Sequence, residues 1–250
     1  MSLLSYAHKF LRKRRVRRFR KQMERLRYGY ALTAASVDTM RVHPDFARVI
    51  RKIRGAGTAS LSHFENGYDF EGGLYIQQHP DEFASLIVFL QDRGPFPNYL
   101  EIGSASGGTC LFLTQCLDIG HVTSLDDGQH RDAWLQDQHF SQIPRCNRFL
   151  GDSHGEEASE YMRRMVREPL DLAFIDGDHS YEGVKQDIEL VLPYCRPGAL
   201  LVLHDSAACE GVAQAWHNIV TEKKVRPVAE FIGAYKPLGL AVGEVLGSKH

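Results

Sequence analysis

Long apolar runs and paired cysteines are both missing from this 250-residue chain. Its longest uncharged apolar stretches, residues 83–90 and 199–203, fall well short of the roughly 18 residues that a membrane-spanning helix needs. The five cysteines are an odd number without Cys-X-X-Cys spacing, so neither a disulfide framework nor a zinc ribbon is indicated. We therefore expect a cytoplasmic protein in a reducing compartment.

Glycine and proline are too scarce for a disordered chain. They number 22 and 10, whereas low-complexity sequences contain roughly 25–30% of the two together. Hydrophobic residues make up 43% and charged residues 24%, which are the proportions of a globular protein. The chain is therefore expected to bury a core.

The net charge of −1 conceals a strongly basic N-terminal segment. Residues 1–30 carry eleven Lys or Arg and one acid, Glu24, which leaves 19 basic and 30 acidic residues for the rest of the chain. Apolar residues recur every three or four positions within the segment, which predicts a basic amphipathic helix. Its cationic run follows the short apolar stretch instead of preceding it, which argues against a signal peptide.

Three interpretations of residues 1–30 stay open. The helix packs on its own domain or on a second copy of the chain, or it binds an anionic membrane surface, or it is a nucleic-acid arm. The rest of the sequence offers no further basic or base-stacking feature, which disfavours nucleic acid. Salt-dependent RNA or DNA binding that disappears on removal of residues 1–30 would identify the third case.

Residues 31–79 are predicted to form a helical and lid-like extension ahead of a domain over residues 80–250. Apolar residues up to Ile53 share one helical face, and Gly55 marks the expected end of that helix. Residues 55–79 mix Gly, Ser and Asn with aromatic residues, and an irregular stretch of this length is typical of a functional lid.

Short apolar runs alternate with helical patterns over residues 80–250. Five such pairs argue for βαβ units and a parallel sheet covered on both faces. Two further strand-like runs, 227–232 and 238–245, are joined by a short link that suits a hairpin. The sequence thus predicts a doubly wound, Rossmann-like α/β fold with a mostly parallel seven-stranded sheet, an antiparallel C-terminal hairpin strand and an N-terminal helical extension.

The ends of the five predicted parallel strands are polar, and ligands of open parallel sheets bind at these ends. The first strand runs into a GxxxGG turn in which Ala105 replaces the middle glycine of a dinucleotide-binding GxGxxG, which disfavours an NAD-dependent dehydrogenase. The second ends in Asp126, 23 residues beyond Gly103, where a carboxylate can accept both hydroxyls of a ribose. The other three ends carry acids, a serine and histidines: Asp152, Ser153, Asp176, His179, His204 and Asp205.

Four segments precede the predicted hairpin: YLEIGSASGGT, VTSLDD, RFLGDS and LAFIDGDHSYEGVKQDIELVLPYCRPGALLVLHD. In this order they resemble the successive motifs of class I S-adenosylmethionine-dependent methyltransferases, and the likeness covers about residues 80–246. FIDGDHSYEGV is similar to the branch that includes cephalosporin-hydroxylase-like proteins and metal-dependent sugar O-methyltransferases. The first 79 residues match no motif of that family.

The resemblance implies S-adenosylmethionine as cofactor. By position, Asp126 would take the ribose, Asp152 and Ser153 the adenine, and Asp176 the cofactor amine or a divalent metal. An acidic rim suits a positively charged sulfonium better than it suits a phosphate. The methionine end of the cofactor would be held by residues of the first turn: Glu101, Gly103, Ser104, Gly107 and Thr109.

A divalent cation is also expected near the fourth and fifth strand ends. Asp176 and Asp205 could share Mg²⁺ through oxygen ligands, whereas His204 as a further ligand would favour Mn²⁺. A hydroxyl acceptor also needs a base, because its proton must be removed. His179 is our candidate and His204 the alternative, since imidazole titrates near neutrality. His179 could instead cap the following helix or bind the metal.

We therefore expect an S-adenosylmethionine-dependent O-methyltransferase, with Asp176 and His179 as catalytic residues, acting on a sugar, glycolipid or secondary metabolite. A basic anchor would place it on the inner face of a membrane if the acceptor is a membrane lipid. Two alternatives are a nucleic-acid methyltransferase guided by the basic arm and a non-catalytic membrane-associated scaffold with the same fold. The acceptor, the metal and the oligomeric state are left open.

Overall fold

The computed structural model describes Lys21 and residues 35–61, 69–234 and 236–247. The chain divides into two units, Met1–Ala31 and Leu32–His250, and the described strands all belong to the second. The predicted basic helix, apart from Lys21, and residues 62–68 of the predicted lid lie outside the described residues. Within the part of the chain that is described, no helix has the length and apolar character needed to cross a membrane.

A seven-stranded sheet forms the centre of the second unit, with strand order β3-β2-β1-β4-β5-β7-β6. Strands β1 to β5 pair in parallel, and β7 runs antiparallel to both β5 and β6. The predicted doubly wound fold is confirmed, with β7 inserted between β5 and the edge strand β6. The strands are β1 (Phe96–Ile102), β2 (Ile119–Asp126), β3 (Cys146–Leu150), β4 (Leu170–Ile175), β5 (Cys195–His204), β6 (Val225–Phe231) and β7 (Leu240–Val245).

Helices precede the sheet in the chain and connect its strands. The α-helices within the described residues are α1 (Val37–Arg41), α2 (Phe46–Ala56), α3 (Pro80–Gln91), α4 (Gly108–Cys116), α5 (Gln136–Phe140), α6 (Glu156–Met165), α7 (Tyr181–Val191) and α8 (Glu210–Thr221). Helix α3 begins with Pro80 and places Asp81 and Glu82 in its first turn, as the helix dipole favours. Ten of its twelve residues are buried, because it is apolar on nearly every side.

The N-terminal extension shares the hydrophobic core of the sheet. The helical pattern expected up to Gly55 forms two helices, α1 and α2, and α2 runs one residue further, to Ala56. Its apolar face is buried as predicted, and α2 packs against α3. Ala35 forms a bridge with Ala229 of β6, and Thr58 forms one with Ile76. In the predicted lid, the carbonyl oxygen of Leu74 accepts from Ser106 Oγ at 3.0 Å, so this part of the lid is tied to the turn after β1.

Replacement of Ile53 on α2 tests this shared core. Ile53 is fully buried in the cluster that also contains residues of the sheet, so Ile53→Ala should lower the free energy of unfolding by about 2–5 kcal/mol. Urea unfolding of the whole chain measures the change, and Arg51→Ala, at an exposed position of the same helix, is the control. A loss no larger than that of the control would mean that the extension does not stabilise the sheet.

Candidate active site

One cavity of about 640 Å³ opens at the carboxyl ends of the parallel strands. The strand order reverses between β1 and β4, and ligands of open α/β sheets bind at such a switch point. The volume lies within the roughly 300–1,000 Å³ typical of small-molecule sites. Every parallel strand end contributes to the wall, with Gly103, Asp126, Asp152, Asp176 and Asp205 among the lining residues.

The predicted site residues fall into two groups. Eight of them line the cavity: Gly103, Asp126, Asp152, Ser153, Asp176, His179, His204 and Asp205. The other four are not part of its lining and contact neighbouring residues. Glu101 accepts from the Tyr99 hydroxyl, and Ser104 Oγ lies 2.8 Å from Ser124 Oγ. Gly107 lies against Phe140, and Thr109 Oγ1 donates to Gln78 Oε1 at 2.6 Å. Their contact with the methionine end of a cofactor stays a prediction.

The glycine-rich turn has a packing role that the sequence did not reveal. Gly103 has φ 82°, and a Cβ there would lie 2.2 Å from the carbonyl oxygen of Asp176. Glycine is therefore required because the ends of β1 and β4 touch, independently of any ligand. Ala105 adopts φ 48°, a left-handed conformation that is unusual for alanine, and its N–H donates to Asp126 Oδ2 at 2.9 Å.

The buried Asp126 carboxylate holds two turns together beside the cavity. Besides Ala105, it accepts from the N–H of Gly128 at 2.8 Å and from Nε2 of Gln136 at 2.6 Å, both on Oδ1. A carboxylate can accept about four hydrogen bonds, so one acceptor position remains. Asp126 is thus both a structural anchor and a candidate for a single strong ligand contact.

Two carboxylates and two imidazoles meet at the ends of β4 and β5. Ile175 of β4 pairs with Leu203 of β5. The residues that follow them, Asp176 and His204, therefore lie side by side. His204 Nδ1 is 2.8 Å from Asp176 Oδ1, and His179 Nε2 is 3.1 Å from Asp205 Oδ2 and 3.5 Å from Asp176 Oδ1. The cluster is therefore one connected network of acids and bases.

Charge compensation sets the protonation of this network. Burial alone would raise the pKa of Asp176, but the charge of His204 and hydrogen bonds from His179 and His204 lower that pKa to about 2. Burial would lower the pKa of His204, yet the Asp176 and Asp205 carboxylates raise it to about 10. Burial raises the pKa of Asp205. The hydrogen bond to Asp176 raises the pKa of His179.

Two sets of side chains in this network could hold a metal ion. Asp176, His204 and Asp205 offer one ligand atom each, within 4.8 Å of one another. His179, Asp205 and Cys209 form a second set with the same spacing limit. The first set is the one expected from the sequence, whereas Cys209 was not expected at the site.

Sequence reasoning also missed residues that the extension and the turns bring to the site. Gln78 Nε2 donates to Asp176 Oδ2 at 3.0 Å across 98 residues of sequence. Gln77 lines the cavity and lies 3.1 Å from Nε2 of His130, which lines it too, as does His154. Gln77 and Gln78 lie within the segment predicted as a lid, but no motif or periodicity in that segment singled out these two residues.

Glu82 of α3 fixes the connection between β6 and β7. Its side chain is fully buried, and it accepts from the N–H groups of Gly233 at 2.6 Å and Gly239 at 2.8 Å. Burial raises the pKa of this carboxyl to about 7, although the two backbone donors oppose the shift. The same connection brings Leu238 to the cavity wall.

Solved methyltransferases share this architecture. An O-methyltransferase from Bacillus cereus in complex with SAH is 20% identical, with a TM-score of 0.56 over 68% of this chain and 82% of that chain. TomG from Streptomyces achromogenes, involved in tomaymycin synthesis and crystallised with SAM, is 18% identical, with a TM-score of 0.56 over 76% and 88%. A putative O-methyltransferase from Klebsiella pneumoniae is 19% identical, with a TM-score of 0.53 over 82% and 90%. The fold is that of class I methyltransferases.

A family model also matches the chain. Residues 100–206 match the model of a methyltransferase domain, which confirms the resemblance seen in the motifs. An uncharacterized protein of Acanthamoeba polyphaga mimivirus is 28% identical in an alignment of 115 positions that covers 43% of this chain and 50% of that protein. The chain thus spans about half the length of the curated relative that it matches.

Substitution of Glu82 should change how stability depends on pH. The folded-state pKa is about 7 and the ordinary value is 4.5, so between these values the unfolded chain releases a proton that the folded chain retains. Stability therefore falls as the pH rises through this window, by an amount on the order of 3 kcal/mol. Glu82→Gln, a neutral amide of the same size, should remove that fall.

Urea unfolding at several pH values between 4.5 and 7 measures this effect. Glu157→Gln is the matched control, because Glu157 occupies the exposed first turn of another helix. If Glu82→Gln and the unsubstituted chain show the same pH dependence, the buried carboxyl does not titrate as described.

Proposed function

We propose that this protein transfers a methyl group from S-adenosylmethionine to a hydroxyl of a sugar, glycolipid or secondary metabolite. The observation that carries the proposal is the single cavity at which Gly103, Asp126, Asp152 and Asp176 converge beside an imidazole. The methyltransferase-domain match and the fold shared with enzymes crystallised with SAM or SAH support the choice of reaction and cofactor.

The charge of the cavity favours a sulfonium cofactor over a phosphate-bearing one. Six aspartates line it, and no Lys or Arg occurs among the described lining residues. S-adenosylmethionine presents its methyl group on a positively charged sulfur, which such an acidic wall attracts. Asp126 would use its remaining acceptor position for the ribose, and Asp152 and Ser153 would face the adenine. A dinucleotide would find no Lys or Arg for its phosphates among these lining residues.

His179 fits the role of general base better than His204 does. The His179 side chain is 44% exposed and its Nε2 lies against Asp205 and Asp176, which orient the ring and favour its protonated form. His204 is only 4% exposed and already hydrogen-bonded to Asp176. Both imidazoles line the cavity, but the more exposed His179 is the one that can come within hydrogen-bond distance of an acceptor hydroxyl.

We further propose that Asp176, His204 and Asp205 hold a divalent cation. These residues suit a divalent cation, since they offer two carboxylates and an imidazole whose ligand atoms lie within 4.8 Å of one another. Asp205 Oδ1 and His204 Nε2 are buried and have no hydrogen-bond partner in the described part of the chain. The nitrogen donor favours Mn²⁺ over Mg²⁺. Such a cation would lower the pKa of the acceptor hydroxyl and so assist His179.

Binding measurements on Asp126 test the cofactor site. Asp126→Asn removes the charge that would hold a ribose hydroxyl, so the affinity for S-adenosylmethionine measured by calorimetry should fall about 10- to 100-fold. Asp118→Asn, at an exposed position beside the opposite end of β2, should leave the affinity unchanged. Circular dichroism checks that both variants fold.

A second variant, His179→Gln, separates binding of S-adenosylmethionine from catalysis. It should keep the cofactor affinity and lower kcat by roughly 10²- to 10⁴-fold, because only proton removal is impaired. Unchanged affinity in Asp126→Asn would overturn the cofactor site. Unchanged kcat in His179→Gln would overturn the base assignment and leave the cofactor site standing.

For residues 1–30 we propose contact with an anionic membrane surface, where a glycolipid acceptor would be carried. The support is the net charge of the segment, eleven basic residues against one acid. Each basic residue near an anionic surface contributes about 1 kcal/mol. The whole chain should therefore cosediment with phosphatidylserine vesicles and not with neutral ones, and replacement of Arg14, Arg15, Arg17 and Arg18 by Gln should release it. Equal sedimentation with both vesicle types would contradict the proposal.

A further inference from the structure

We propose a second cation site formed by His179, Asp205 and Cys209, which takes a soft or borderline divalent ion such as Zn²⁺. Each residue offers one ligand atom, and these atoms lie within 4.8 Å of one another. The set combines a ring nitrogen, a carboxylate oxygen and a sulfur. Thiolate and imidazole ligands select Zn²⁺, whereas oxygen-rich sets select Mg²⁺ or Mn²⁺.

The backbone after β5 creates this juxtaposition. Asp205 adopts the left-handed conformation, with φ 58°, which turns the chain sharply at the end of the strand. The N–H groups of Ala208 and Cys209 then donate to the carbonyl oxygen of Asp205 at 3.1 and 2.9 Å. Cys209, four residues after Asp205, therefore returns beside it at the start of α8.

His179 reaches the same place from the turn between β4 and α7. A Cβ on Gly211 would lie 2.5 Å from the carbonyl oxygen of His179, so the first turn of α8 packs directly on the segment that carries the imidazole. His179 Nε2 is then 3.1 Å from Asp205 Oδ2. Because residue 211 is a glycine, the His179 imidazole and the Cys209 thiol can approach one another.

A buried carboxylate oxygen without a hydrogen-bond partner points to a cation at this place. Asp205 Oδ1 is buried without a hydrogen-bond partner among the residues that the structure describes. The carboxylate and a thiolate at Cys209 together carry two negative charges, which a dication balances, and binding releases the thiol proton to solvent. His179 is partly exposed toward the cavity, so a fourth ligand such as water has access, as in zinc sites with three protein ligands.

Occupation of this site would inhibit methyl transfer, a consequence that rests on the proposed function. Asp205 belongs to both ligand sets, so an ion held by His179 and Cys209 competes with one held by Asp176 and His204. An imidazole that binds an ion through one ring nitrogen carries its proton on the other, so a metal-bound His179 has no lone pair for the acceptor proton. Zn²⁺ binding and proton removal therefore exclude one another.

Cobalt substitution tests the site independently of turnover. Co²⁺ added to the whole chain should produce the near-ultraviolet absorption of a thiolate–cobalt bond, and Cys209→Ser should abolish it. Serine is a favoured residue at a helix start, so this variant should fold. Cys116→Ser, which changes a half-buried thiol at the end of α4, is the matched control and should retain the absorption.

Absence of the band in the unsubstituted chain, or its persistence in Cys209→Ser, would overturn the proposed site. In competition with Co²⁺, the affinity for Zn²⁺ should fall at least about tenfold in Cys209→Ser, and the Zn²⁺ concentration that halves methyl transfer should rise correspondingly. A protein that shows the band but no methyl transfer would overturn the proposed function and leave the metal site intact.

Discussion

The site depends on the compensation of buried carboxylates by imidazoles at the ends of two neighbouring parallel strands. Asp176 and Asp205 lie close enough to repel one another in a region of low dielectric constant. His204 and His179, at 2.8 and 3.1 Å from these carboxylates, supply the opposing charge. Because the register of β4 and β5 sets these spacings, the chemistry of the cavity follows from the geometry of the sheet.

The cavity is assembled from parts of the chain that are distant in sequence. The N-terminal extension supplies Gln78, whose amide bridges Thr109 and Asp176. The connection between β6 and β7 supplies Leu238 and is held by Glu82 of α3. Helix α3 thus links the extension, the sheet and the C-terminal strands, and burial of its apolar surface stabilises all three together.

Much of the fold was predictable because its signals are local. Apolar runs of strand length followed by helical patterns gave the right order of elements, and the antiparallel C-terminal strand followed from two such runs with a short link. The boundaries were less accurate: β6 spans Val225–Phe231, whereas the sequence predicted a strand over residues 227–232. Polar residues at strand ends were the right place to seek a site, because all parallel strands end at the same edge.

By itself, the sequence determined the α/β class, the family resemblance and the acidic character of the strand ends, since these depend on periodicity and residue type. Only the tertiary structure decided which side chains share a cavity. It placed Thr109 against Gln78, away from the cavity wall, and it brought Cys209 to His179. Such pairings arise from packing between elements far apart in the chain, and no periodicity within one segment encodes them.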